Sequence, residues 1–393
     1  MAVREQVYGY FIPSVTLIGI GAAKQIPDKI KALGGSKPLI VTDKGITGAG
    51  ITKQITDLLE AAGMAYVVYD ETIPNPTDKN VHDGVDIYKK ENCDSLITLG
   101  GGSSHDCGKG VGLVVANGGK IHDYEGVDKS SKPMPPYLAV NTTAGTASEM
   151  TRFCIITDTS RHVKMAIVDW RVTPGIAVDD PMLMVGMPPA LTAATGMDAL
   201  THAVEAYVST IATPMTDSAA EKAIELIAKY LRPAVANGQD IEAREGMCFA
   251  QYLAGMAFNN ASLGHVHAMA HQLGGFYDLP HGECNAILLP HVEKFNLIAK
   301  MDRFVKIAEL MGENTAGLAP RDAAELALVA IRKLSADIGI PAGLIELGKK
   351  YGKEVKASDI DTMVANAQKD ACGLTNPRCP KDADVKAIYT AAL

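Results

Sequence analysis

Asp198 and His202 stand four residues apart in GMDALTHAVEAY, and His267 and His271 repeat that spacing in HVHAMAHQLGGFYDLPHGE, which also carries His265 and His281. On a helix, positions i and i+4 share a face, so each pair can present two ligand atoms to one ion. A carboxylate with three imidazoles makes a site for a divalent metal, and such donors suit Fe(II), Zn(II), Ni(II), Mn(II) or Co(II). Spacing alone leaves open which histidine of the cluster is spare. An alcohol oxygen at such an ion would feel the Lewis-acid pull that lowers the pKa of metal-bound water from about 15.7 to about 7, so alkoxide formation near neutral pH is the expected chemistry.

A nucleotide signal lies upstream. In SLITLGGGSSHDCGKG an apolar strand runs into Gly100, Gly101, Gly102, Ser103 and Ser104, and a helix follows. Glycines there let the backbone approach a pyrophosphate, while free N–H groups and the helix dipole favour its charge. The spacing is neither G-x-G-x-x-G nor Walker A, so the turn by itself reads equally as a simple tight turn. A second polar turn, NTTAGTASEMT, crowds the hydroxyls of Thr142, Thr143, Thr146, Ser148 and Thr151 around Gly145, and two such turns after separate strands can grip one nucleotide. Asp43 ends the strand PLIVTD, where it either accepts ribose hydroxyls and repels a 2′-phosphate, favouring NAD over NADP, or caps the next element.

Elements of alternating type must position these groups. Apolar runs at Pro38–Val41, Ala65–Tyr69 and Ser95–Leu99 alternate with helical patterns at Ile51–Ala62, Asp78–Lys90 and about Asp106–Val115, which predicts a parallel sheet with crossover helices. Further strands are expected at Tyr137–Val140, Phe153–Thr157, Lys164–Asp169 and Gly175–Val178. From Pro181 the character changes, and helices are predicted at about 190–210, 216–235, 241–262, 264–275, 300–312, 321–338 and 357–370. Asp217 and Ser358 are candidate caps, the latter with Asp361 in capping-box spacing, and His281 follows Pro280 in a predicted turn. The chain therefore divides near Gly186 into an α/β dinucleotide-binding domain (1–186) and an all-helical, metal-binding and catalytic domain (187–393).

At 393 residues, two cores are the default, and 47% apolar with 21% charged residues is ordinary globular composition. The net charge of −8 comes with no block of five or more like charges, which argues against a nucleic-acid partner. Seven scattered cysteines without a C-x-x-C pair exclude a disulfide framework and a thiolate zinc site, and fit a reducing cytoplasm. Arg4 and Glu5 stand where a signal peptide needs apolar residues, and no run approaches the ~18 apolar residues of a membrane span, so a cytoplasmic protein without membrane contact is expected. No internal repeat or low-complexity tract stands out.

Taken together, FIPSVTLIGIGA, GGGSSHDCGK, TTAGTASEMT, GMDALTHAVEAY and HAMAHQLGGFYDLPHGECNAILLPH make the chain resemble, over nearly its whole length, the iron-containing (group III) alcohol dehydrogenases, in the NAD-dependent methanol and 1,3-propanediol dehydrogenase branch. That resemblance implies a dehydroquinate synthase-like architecture, with a cleft between an N-terminal α/β domain with a parallel sheet and a C-terminal helical domain. It places the metal ligands on Asp198, His202, His267 and His281, makes Fe(II) the expected ion, and matches His271 to an unliganded catalytic histidine near nicotinamide and substrate. Cofactor contacts carry over to Asp43, Gly101, Gly102, Ser103, Asp106, Thr142, Thr143, Thr146, Thr151 and Lys164. A homo-oligomer is implied as well. The chain departs from the pattern at Cys107 and Gly108, where Thr or Ser then Ala is common, at Ala147 for a frequent Gly, and at His265 for a usual Leu; none removes a ligand.

The expected reaction passes a hydride between a short-chain primary alcohol or diol and nicotinamide C4, reversibly with the aldehyde, with the proton leaving through His271 directly or by way of water and the cofactor ribose. Phe258, Phe276 and Tyr277 are candidate walls of a substrate pocket, or simply core. Two rival readings are an NAD- and metal-dependent lyase or cyclising enzyme of the dehydroquinate synthase-like fold, whose ligand set is led by Glu, and a non-catalytic nucleotide or metal sensor.

Overall fold

A computed structural model describes residues 7–161 and 163–393; Arg4 and Glu5, used above against a signal peptide, lie outside the described residues. The strands are β1 (Val15–Ile18), β2 (Pro38–Asp43), β3 (Val67–Thr72), β4 (Ser95–Gly100), β5 (Gly126–Val127), β6 (Tyr137–Asn141), β7 (Phe153–Asp158), β8 (Val163–Val168) and β9 (Ile176–Asp179). Between the first of them run α1 (Ile26–Ala32), α2 (Lys44–Gly48), α3 (Ile51–Ala61), α4 (Asp78–Lys90) and α5 (Gly102–Asn117). Six strands form a parallel sheet in the order β1-β9-β6-β4-β2-β3, and β5-β8-β7 form a smaller mixed sheet.

Parallel pairing needs crossovers, which the helices supply on both faces. Successive side chains of a strand point to opposite faces, so Leu39, Val41, Leu96 and Ala139 share one core with α4 and α5. Ile40, Ile97, Leu138 and Val140 share the other core with α1 and α3. The C-terminal ends of β2, β4, β6 and β9 bring Asp43, Gly100, Asn141 and Asp179 to one edge, the position at which open parallel sheets bind ligands.

From Pro189 onward the described chain is helical: α6 (Pro189–Val208), α7 (Pro214–Ala236), α8 (Ile241–Ala261), α9 (His265–Tyr277), α10 (His281–Asn296), α11 (Met301–Leu310), α12 (Pro320–Asp337), α13 (Leu344–Lys350), α14 (Ile360–Ala367) and α15 (Asp382–Ala392). Their core takes in Ala144, Ala147 and Met150, so the Thr-rich turn after β6 packs into the helical part rather than against the sheet alone.

Three local expectations differ from the structure. His281 is not in a turn but is the first residue of α10, a helix without an amphipathic stripe because it is buried on most sides and contains Pro290. Thr213, not Asp217, caps α7 in a capping box with Thr216, while Asp217 pairs with Arg303 at 2.6 and 2.8 Å. Ser358 caps no helix; its hydroxyl donates to Asp359 at 3.1 Å. The unpredicted α15 buries Val385, Ile388, Tyr389 and Ala392, a spacing that was readable in the sequence.

Candidate metal centre and nucleotide cleft

The loop from β4 into α5 is built from glycine for space. Gly100 sits at φ +147°, and a Cβ there would fall 2.5 Å from Ser104 Oγ. Cβ atoms on Gly101 and Gly102 would lie 3.0 Å and 3.1 Å from the Thr143 and Thr146 side chains, so the Gly-rich and Thr-rich turns face each other across a narrow cradle. Thr142 N donates to Gly100 O at 3.0 Å, while the buried Thr142 Oγ1 has no partner. An orphaned hydroxyl beside a cradle that a methyl group would fill fits a bound pyrophosphate.

Asp43 caps the next element and also reaches the Gly-rich turn. Oδ1 accepts the Ile46 N–H at 3.0 Å as the cap of α2, and Oδ2 accepts from Ser104 Oγ at 3.1 Å, which ties it to the Gly-rich turn that also carries Ser103. Asp106 and Thr151 are committed inward. Asp106 accepts from Ser148 Oγ at 2.7 Å and Ile155 N at 3.1 Å, and burial pushes its carboxyl up. Thr151 Oγ1 accepts from the fully buried Lys109 at 3.2 Å; the Lys109 ammonium also donates to Ser148 Oγ at 3.0 Å and Phe153 O at 2.7 Å. Lys109 escaped the sequence reading, since nothing local marks a helix lysine as buried. Lys164 donates to Asn75 at 2.8 Å and lies near Gly274 of α9, on the seam between β8 and the metal helices; burial lowers its pKa.

The metal candidates converge. Asp198 Oδ1 lies 3.9 Å from His202 Nε2, 3.7 Å from His267 Nε2 and 3.6 Å from His281 Nε2, although the residues come from α6, α9 and α10. Ligand atoms about 2.1 Å from a tetrahedral centre stand roughly 3.4 Å apart; those of Asp198, His267 and His281 all lie within 4.8 Å of one another, whereas His202 joins them through Asp198 alone. Asn285 Nδ2, one turn beyond His281, points into the set: it donates to Asp198 Oδ1 at 2.7 Å and lies 3.1 Å from Nε2 of both His267 and His281. A partly positive N–H group at the focus of a carboxylate and two imidazoles marks where a cation is favoured.

Electrostatics agree with that reading. Burial would raise the Asp198 pKa, but His202, His281 and His267 hold it far below the usual carboxylate range. Burial lowers His202 to about 4 and His281 well below the usual histidine value. Burial also disfavours a charged His267, yet Glu205 and Asp198 outweigh it and raise its pKa to about 9. One positive charge is thus called for among the four, and ion binding would displace that proton.

Glu205 and Asp370 are the supports that the sequence reading missed. Glu205, on the same helix face as Asp198 and His202, accepts His267 Nδ1–H at 2.5 Å and Val266 N–H at 2.7 Å. It thereby turns Nε2 of His267 toward the ligand set. His271, with a ring centroid 5.4 Å from that of His281, pairs through Nδ1 with Asp370 Oδ2 at 2.8 Å. The i+7 spacing from Asp198 could have flagged Glu205, whereas Asp370 carries no local signal.

His265 is the spare histidine. Its Nε2 faces Gln368 at 3.5 Å and its ring packs on Gly373, away from the ligand atoms. Phe258 stacks on His202 with centroids 4.2 Å apart, and Phe153 lies 5.9 Å from Phe258. Tyr277 is committed to Asp359 at 2.6 Å and Phe276 is exposed, so of the candidate walls only Phe258 meets a candidate ligand. Among the family departures, Ala147 takes the left-handed φ of +51° that a glycine adopts freely, and Gly108 is required because a Cβ would fall 2.0 Å from Thr98 Cγ2.

A parallel sheet with a nucleotide cradle at its C-terminal edge, facing a carboxylate–imidazole metal centre in a helical part, defines a metal- and nucleotide-dependent oxidoreductase. The chain belongs to the iron-containing alcohol dehydrogenase family: the pattern described as "Iron-containing alcohol dehydrogenase" matches residues 13–181, and that of "Fe-containing alcohol dehydrogenase family, C-terminal" matches residues 192–393. It is 52% identical over 390 residues to the 1,3-propanediol dehydrogenase of Citrobacter freundii, covering 98% of this chain and 99% of that one. It is 50% identical over 384 residues to the NAD-dependent methanol dehydrogenase of Bacillus methanolicus, again covering 98% and 99%. A crystal structure of 1,3-propanediol oxidoreductase superposes with a TM-score of 0.96 at 51% identity, covering 99% of this chain and 100% of that one. These relatives do not favour the lyase reading.

Proposed function

We propose that this protein passes a hydride reversibly between short primary alcohols or diols and NAD, at the centre formed by Asp198, His202, His267 and His281. The observation that carries this reading is the grouping of Asp198, His267 and His281, with His202 beside Asp198 and in reach of the Gly145 backbone in the Thr-rich turn that faces the Gly-rich one. When bound, a divalent ion, Fe(II) by family, supplies Lewis-acid polarisation of the alcohol oxygen and NAD supplies the hydride acceptor.

The chain's own residues position and move the proton. His271 takes the hydroxyl proton at Nε2, because its Nδ1 is held by Asp370 at 2.8 Å and the resulting imidazolium is stabilised by that carboxylate. Gly101, Gly102, Ser103, Thr142, Thr143 and Thr146 seat the pyrophosphate, Asp43 meets the ribose, and Lys164 stands on the nicotinamide side. Asp106 and Thr151 act from behind by fixing the Thr-rich turn through Ser148 and Lys109. Phe258 shields His202 from water.

Substrate class rests on the relatives, which act on 1,3-propanediol, methanol and lactaldehyde. The division at Gly186 belongs to this reading and is supported by the two family patterns ending at 181 and starting at 192. So do a cytoplasmic location, supported by seven free cysteines, and a homo-oligomer, supported by the open edge of β1 with Val15 and Ile20 exposed. Among the described residues, no helix is long and apolar enough to cross a membrane.

The test is anaerobic purification with metal analysis, stripping, and reloading with Fe(II), Zn(II), Ni(II), Mn(II) or Co(II), followed by NADH absorbance with methanol, 1-propanol and 1,3-propanediol. Stoichiometric NADH formation with at least one ion is expected. No turnover with any ion, or full turnover after His267→Ala and His281→Ala together, overturns the proposal.

A further inference from the structure

Glu149 and Asp179 meet in the interior behind the Thr-rich turn, and both are fully buried. Glu149 lies in the short 3-10 turn Ser148–Met150, Asp179 ends β9, and Gln251 reaches between them from α8. Gln251 Nε2 donates to Glu149 Oε1 at 2.9 Å and to Asp179 Oδ1 at 3.1 Å. Asn141 Nδ2 donates to Asp179 Oδ1 at 2.9 Å, and Asn141 Oδ1 in turn accepts the Thr143 N–H at 3.0 Å. The other two oxygens, Glu149 Oε2 and Asp179 Oδ2, have no hydrogen-bond partner, although one Gln251 amide nitrogen bridges the two carboxyl groups.

No cation balances two charges there among the described residues. Lys109, from α5, acts on Glu149 through its charge but gives its hydrogen bonds to Ser148, Thr151 and Phe153 O, and Asp179 has no such cation. From α8, Cys248 and Tyr252 face the pair, and burial pushes the thiol and the phenol up, so both are neutral. Asp180, next along the chain, accepts from the Gly21 and Ala23 amides and adds only negative charge. Two adjoining buried carboxylates to which no cation is hydrogen-bonded disfavour a second charge, and a single proton held by the pair supplies the missing donor.

We propose that Glu149 and Asp179 hold one proton between them, and that the protonated pair is a positioning element which keeps the Asn141–Thr146 turn shaped for the nucleotide. The proposal rests on the reading of that turn as part of the NAD site. Burial raises both carboxyl groups, so the pair's contribution to stability is full below the ordinary carboxyl value of about 4, falls as pH rises above it, and is gone once pH has passed the raised folded values at which the shared proton leaves. On loss of the proton the two charges repel, and the short Ser148–Met150 turn, buried against β9, is pushed away from it. Movement there carries Thr146 with it and withdraws Asn141 from Thr143.

Infrared spectroscopy of the whole protein against pH tests the proton directly. In the difference between the wild type and the Glu149→Gln, Asp179→Asn double variant, which cancels the band of the buried Glu293, a protonated-carboxyl C=O stretch is expected at neutral pH and titrates away on the alkaline side. NADH affinity by fluorescence is read over the same range: a fall of about tenfold or more is expected in the wild type, equivalent to roughly 1.4 kcal/mol. That fall is flattened in Glu149→Gln, whose amide stands in for the neutral acid. Absence of the band from that difference, or an unaltered alkaline fall in Glu149→Gln, overturns the proposal. Failure of the NAD-site reading would look different, as a band that titrates with no NADH bound at any pH.

Discussion

Asp370 holds His271 by a 2.8 Å hydrogen bond from Nδ1 to Oδ2, although the residues lie 99 positions apart. With the carboxylate accepting, the contact places a proton on Nδ1 of His271 and a fixed negative charge beside the ring. The bond to His271 and the Cys372 N–H outweigh the effect of burial and hold the Asp370 carboxyl at about 2, so it stays ionised throughout the working range.

Asp370→Asn is therefore expected to lower kcat by about 10- to 100-fold, the share of proton-transfer catalysis that depends on a correctly charged partner. KM for NAD and metal content should stay close to wild type. Steady-state kinetics with metal analysis checks this; a matching loss of metal would reassign Asp370 to the ion site.

Glu205 bears on the ion rather than on the proton. Because it accepts from His267 Nδ1 at 2.5 Å, Glu205→Gln should weaken metal binding by roughly 10- to 100-fold, as loss of an outer carboxylate typically does. Competition against a chelator, read as metal retained per chain, gives the number. Retention equal to wild type would show that His267 is oriented without Glu205.

At Gly282 the backbone of α10 packs directly against that of α6. A Cβ at that position would sit 2.2 Å from Ala194 O, a backbone atom that cannot rotate away. Gly282→Ala must push apart the helices carrying His281 and Asp198, so it should reduce metal occupancy by about tenfold or more and lower the melting temperature. Normal occupancy in the folded variant would mean that α10 shifts without taking His281 out of reach.

His105 predicts an acid dependence of stability that is independent of the metal. It is fully buried, bonded to Thr98 at 2.8 Å, and burial lowers its pKa to about 3. Above the ordinary histidine value of about 6.5 folded and unfolded forms are both neutral, and as pH falls from there toward about 3 only the unfolded chain takes up the proton. Stability is therefore lost across that window. Unfolding at pH 5 should absorb roughly one proton fewer in His105→Asn than in wild type, measured by linkage of melting free energy to pH. An unchanged proton count would place the titration elsewhere.

Much of the site was readable because its signals are short in sequence. Asp198 with His202, the GGGSS turn after an apolar strand, and the alternation of strand and helix in the first half are set by spacings of a few residues, and helix and strand periodicity converts those directly into shared faces. Glu205 was within the same reach, at i+7 from Asp198 and i+3 from His202, whereas Asn285, at i+4 from His281, is an amide on a buried helix with no pattern that separates support from core. The helix α10 stayed hidden because burial on most sides erases the amphipathic stripe by which helices are recognised.

What the amino-acid order determined by itself was the set of donors, the phosphate-type turn, the change from α/β to helix, and, through five separated motifs, the family. Only the tertiary structure decided that His265 turns away toward Gln368, that Asp370 reaches back to His271, that Lys109 is buried beneath the Thr-rich turn, and that Glu149 and Asp179 share one dry space. The physical reason is range. Periodicity along one element orients side chains on its own surface, but which surfaces meet depends on how whole helices and sheet edges pack, and partners separated by tens of residues are chosen by that packing alone.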